Sequence, residues 1–82
     1  MHIERVNEPV EVLAAFRRGR LDPLVLKWKG KDECITKVNL MHTEREGREQ
    51  IHYFSVTGIG ASYRLAYRPL AFQWVLEEMW LE

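Results

Sequence analysis

Cysteine is nearly absent from this chain. Cys34 stands alone, so no internal disulfide can form, a pattern that fits a reducing compartment. Long apolar runs are lacking too, and the N-terminal MHIERVNEP carries Glu4, Arg5 and Glu8 where a signal peptide has its apolar segment. The expectation is a cytoplasmic protein with no membrane partner. Net charge is missing as well: 12 basic residues face 12 acidic ones, which removes any global attraction to nucleic acid or anionic lipid.

Catalytic signatures are also wanting. His2, His42 and His52 are scattered, and with one cysteine they give no metal-ligand spacing. No G-x-S-x-G surrounds Ser55 or Ser62, and no histidine close in sequence activates Cys34. GIGAS, residues 58 to 62, has two glycines but neither the third glycine nor the helix that would hold a phosphate. The carboxylates sit in charge-mixed segments and not in the apolar surroundings that tune an acid for catalysis. A non-enzymatic protein with no cofactor and no metal is expected.

What is present is enough apolar material for one core. With 82 residues, 46% hydrophobic and 29% charged, the chain has the profile of a single small globular domain over residues 1–82. There is no repeat, low-complexity tract or linker, and turn formers recur at strand-like intervals. PVEVLAAF, from Pro9 to Phe16, reads as a first strand opening on proline, and RRGRLDP as a loop. LVLKWKG alternates, with Leu24, Leu26 and Trp28 on one face and Val25, Lys27 and Lys29 on the other. Gly30 and Asp32 bracket a turn into one further strand, ECITKVNLMH, whose parity changes in a way that calls for a bulge. TEREGREQ is a hairpin tip around Gly47. IHYFSVT and ASYRLAY follow as strands, the second with Tyr63, Leu65 and Tyr67 inward. FQWVLEEMW fits both a helical stripe and a strand. Its glutamates would face the negative end of a helix dipole, and its aromatics favour the strand.

The expected fold is therefore all-β: a single antiparallel meander sheet of five to six strands, strongly twisted and closing toward a small barrel. Charge is polarised along it. Arg17, Arg18, Arg20, Lys27, Lys29 and Lys31 oppose only Asp22 between residues 17 and 31, a local balance of +5. Two readings of this segment compete: a track for the phosphates of single-stranded nucleic acid, or a solvated sheet face whose lysines discourage edge-to-edge aggregation. Trp28, Trp74 and Trp80 divide in the same way between core residues and stacking platforms.

Three groups of residues carry a resemblance: P-V-E-V at Pro9 to Val12 with W-K-G at Trp28 to Gly30; Y-F-S-V-T at Tyr53 to Thr57 with Y-R-L at Tyr63 to Leu65; and W-V-L-E-E-M-W at Trp74 to Trp80. Together they resemble a bacterial family of short proteins of unknown function, whose segments are similar to the C-terminal tail of some error-prone, Y-family-like DNA polymerases. The resemblance implies a C-terminal strand and a setting near DNA repair or replication. The expected function is an accessory module that binds a protein partner, with single-stranded nucleic acid as the alternative ligand and self-association left open.

Overall fold

The computed structural model describes residues 2–81, and its described residues form seven strands with no helix. β1 spans His2–Arg17, β2 Arg20–Trp28, β3 Lys31–Cys34, β4 Lys37–Glu46, β5 Glu49–Thr57, β6 Ser62–Arg68 and β7 Gln73–Leu81. All ladders are antiparallel, in the order β3-β2-β1-β7-β6-β5-β4. All-β and single-sheet architecture are as expected; the count of five to six strands and the simple meander are not. The order is a meander that has been joined first strand to last, through β1 and β7, and cut between β3 and β4.

Two switch points produce this arrangement. β1 pairs with β7 from His2 to Val10 and with β2 from Glu11 to Arg17, so one 16-residue strand serves two ladders in succession. Its irregularities lie between Arg5 and Glu8, where Asn7 has a φ of 49°, and between Leu13 and Ala14. Bulges of this kind bend a strand and turn a sheet's corner. The second switch is at Ile35 and Thr36. The Ile35 N–H donates to the Leu24 carbonyl at 2.9 Å, continuing the β2 ladder, whereas the Thr36 N–H donates to the Thr57 carbonyl at 2.8 Å, beginning the β5 ladder. ECITKVNLMH is thus two strands, which accounts for the extra element.

The sheet curls but is not closed, because no ladder pairs β3 with β4. Its concave face holds the core: Leu26, Phe54, Val56, Tyr63, Leu65, Trp74 and Leu76 are buried together. Alternation is the reason. Tyr63, Leu65 and Tyr67 share a parity on β6, as do Phe54 and Val56 on β5 and Trp74 and Leu76 on β7, and side chains two apart point to one face. The C-terminal segment is a strand, not a helix.

Local chemistry corrects three boundaries. Pro9 lies inside β1 and does not open it. RRGRLDP is not a loop: Arg18 and Gly19 alone form the turn, with φ of 53° and 73°. Two positive φ values are the requirement of a type I′ hairpin, whose twist matches the strands it joins. Asp22 and Pro23 fall within β2, and Pro23 is tolerated because β3 pairs with β2 only from Val25 onward, which leaves the Pro23 side of the ladder empty. The next turn is Lys29–Gly30, with φ of 51° and 74°, and Asp32 belongs to β3.

Candidate functional site

The slot left between β2 and β4 is the site to consider, and its two ends differ. At the narrow end the chain itself crosses at Ile35–Thr36, and Glu33 of β3 reaches the β5–β6 loop: its Oε1 accepts the Ile59 N–H at 2.9 Å. Gly58 makes room for that contact, since a Cβ there would lie 2.8 Å from Glu33 Oε1. Tyr63 packs beside the same carboxylate, and burial, then the Glu33 charge, push its phenol above the usual range.

At the wide end the concave face is not filled. β4 is exposed along its whole length of 10 residues and among the described residues pairs only with β5; Met41, opposite Phe54, is 53% exposed on the concave face, and Leu40, opposite Ser55, is 59% exposed on the convex one. The tip of the β1–β2 hairpin overhangs this region and encloses a cleft of about 700 Å³. The cleft is lined by the hairpin residues Phe16 to Leu21, by Met41 and Thr43 of β4, and by His52, Tyr67, Pro69 and Phe72. Phe16 meets Tyr67 edge-on at 6.2 Å yet stays 71% exposed. Tyr67 stands between the cleft and the core, 4.9 Å from the Trp74 ring. Among the described residues no carboxylate lines the cleft.

The six basic residues singled out from sequence do not form one track. Arg17, Arg18 and Arg20 surround one turn and Lys29 and Lys31 surround the next, at opposite ends of β2; eight residue steps at about 3.3 Å separate them by roughly 26 Å. Asp22 partly neutralises the first group, through Arg17 Nε at 3.3 Å and Arg20 Nη2 at 3.2 Å. Lys27 lies opposite Glu11 on β1 and Asp32 on β3, so acidic positions flank it on both sides. Lys29 is not on its face. It occupies the turn, where its Nζ sits 4.7 Å from the centre of the Trp28 ring. Lys31 is opposite Trp28 and shares the other face. The tryptophans divide: Trp74 is core, whereas Trp28 is half-buried, its Nε1 donating to Glu8 Oε1 at 3.3 Å, and Trp80 is partly buried.

The convex face carries a second polar row. His42 of β4 stacks on Tyr53 of β5, Arg64 of β6 lies over the same ring, and Arg64 Nε meets Glu77 of β7 at 3.1 Å. Burial raises the Glu77 carboxyl above its ordinary value although Arg64 pulls the other way. Neither residue lines the cleft. Cys34 is exposed, and among the described residues no three histidine, cysteine or acidic side chains gather as a metal site.

What sequence reasoning missed was the cleft. Phe16, Met41, His52 and Tyr67 come from four strands, and no local spacing relates them. No helix among the described residues is long and apolar enough to cross a membrane. Comparison with family models, curated proteins and solved structures finds no match. The functional reading therefore rests on the geometry.

Proposed function

We propose that the chain is a non-enzymatic interaction module that receives an extended segment of a protein partner along β4. The observation that supports this is the strand itself: 10 residues, exposed along their whole length, with one edge free of any ladder among the described residues. An unpaired edge offers a row of N–H and C=O groups, and natural proteins commonly cover, shorten or charge such an edge. Here Leu40 and Met41 stand beside it uncovered. Strand addition uses these groups for affinity and the neighbouring pockets for specificity.

Arg17, Arg18 and Arg20 beside Phe16 and Tyr67 support a second reading, in which bases of a single strand stack in the cleft and phosphates meet the arginines. Salt separates the two. Phosphate contacts release counterions, so affinity for labelled oligothymidylate would fall with a log–log slope of about −0.7 per phosphate neutralised. The protein-interaction reading predicts no such binding at 50 or 200 mM salt, and a lysate protein retained by the wild type but lost by the pair Leu40→Glu, Met41→Glu. Salt-steep oligonucleotide binding would replace it with the second reading. A role in DNA repair or replication is a narrower proposal, supported by the resemblance alone.

A further inference from the structure

The open end also has a definite chemical character. A strand laid in the slot alternates its side chains between the concave and the convex face. On the concave side they meet Phe16, Leu21, Met41 and Tyr67 with Thr43 and His52 among them, a mainly apolar wall with no carboxylate among the described residues. On the convex side they pass Arg17 and Arg20, with Arg18 at the adjoining turn; after Asp22 is subtracted, this corner retains a charge of +2. β4 contributes Glu44 on the convex side, 2.9 Å from His42. Carboxylates of a guest are therefore favoured along β2, whereas β4 offers them no net attraction, its Glu44 and Glu46 being matched in number by Lys37 and Arg45.

We infer that the occupant of this cleft is an extended peptide in which apolar residues alternate with aspartate or glutamate, its apolar side chains entering the cleft and its carboxylates meeting Arg18 and Arg20. A peptide fits better than a polyanion. Asp22 already engages two of the three guanidinium groups, the whole chain has no net charge, and dedicated nucleic-acid modules are usually basic overall. One or two carboxylates match a residual charge of this size.

The inference rests on β4 being the docking strand, and the test keeps the two apart. A display library of random ten-residue peptides is panned against the intact 82-residue chain, and enriched peptides are measured by fluorescence anisotropy. The expected pool alternates apolar and acidic residues, and its members lose about tenfold or more in affinity for the double variant Arg18→Glu, Arg20→Glu, as charge reversal at an interface does. They keep their affinity for Lys27→Glu at the far end of β2. Circular dichroism of both variants shows whether the fold is retained. Enrichment of basic or uncharged peptides that still compete at β4 would overturn the acidic assignment and leave strand addition standing. No enrichment would count against both. Tighter binding of a ten-nucleotide oligothymidylate would assign the cleft to nucleic acid, and a dimer that excludes the peptides would assign it to a second copy; each overturns the inference.

Discussion

Phe72 concentrates the tension between stability and exposure in a single residue. It is 86% exposed, and its φ of 50° lies in the left-handed region that bulky residues avoid. The turn enforces this, with the Phe72 N–H donating to the Pro69 carbonyl at 3.2 Å. Because the ring packs on nothing that repays the strain, Phe72→Gly should leave stability unchanged or raise it by up to about 1 kcal/mol. Urea denaturation checks this, and a loss above about 1 kcal/mol would mean that the ring is held. The tryptophans give the opposite case. Trp74→Ala should cost about 3 to 5 kcal/mol, since that ring is 8% exposed and touches Phe54 and Tyr67. Trp80→Ala should cost clearly less, because the ring lies outside the core cluster. At Glu77 the sign is worked from protons. A carboxyl raised in the fold binds its proton more tightly there than in the unfolded chain, so its ionisation weakens the fold as pH rises past the unfolded value and through the folded one. Glu77→Gln should therefore gain on the wild type at pH 7, and the gain should shrink as pH falls toward the ordinary glutamate range. A constant difference across pH would contradict the burial assigned to it.

At the scale of elements, strands were legible where alternation was clean. Tyr63, Leu65 and Tyr67 announced their inward face, and the glycine at residue 47 announced its hairpin. The switch at Ile35–Thr36 was not legible, because a change of hydrogen-bond partner leaves no period in the side chains. Lys29 was misplaced for a related reason: a two-residue turn shortens the strand by one step, and the alternation that seemed to include Lys29 ended at Trp28. Of the candidate residues, the arginine cluster could be read as basic, but the apolar wall beside it depends on pairings distant in sequence. The narrow end makes its own prediction. Gly58→Ala would press a Cβ against Glu33 Oε1 and Cγ and against Tyr63 Cε2, at a cost of about 1 to 2 kcal/mol. Glu33→Ala alone would lose about 1 kcal/mol with the Ile59 hydrogen bond. Two of the contacts that oppose the new methyl come from Glu33, so the double variant should be less destabilised than the sum of the singles. Additive losses would place the strain elsewhere.

For the whole molecule, the joining of β1 to β7 accounts for both the core and the opening. It brings the first and last strands together, so that Val10 and Trp74 pair directly and the concave face can bury its aromatic cluster. The same closure moves the cut to β3 and β4, where Ile35–Thr36 and Glu33 secure one end and leave the other open. The outer edge of β4 is thereby left without a ladder among the described residues. Residue-resolved amide hydrogen exchange on the free protein tests this most directly. The account predicts strong protection through β6 and β7, each with ladders on both sides, and alternating protection along β4, where amides directed at β5 exchange slowly and those directed away exchange near the unfolded-chain rate. Uniform protection of β4 in a monomer would show that its outer edge is already paired, and would contradict the open slot on which the proposed function depends.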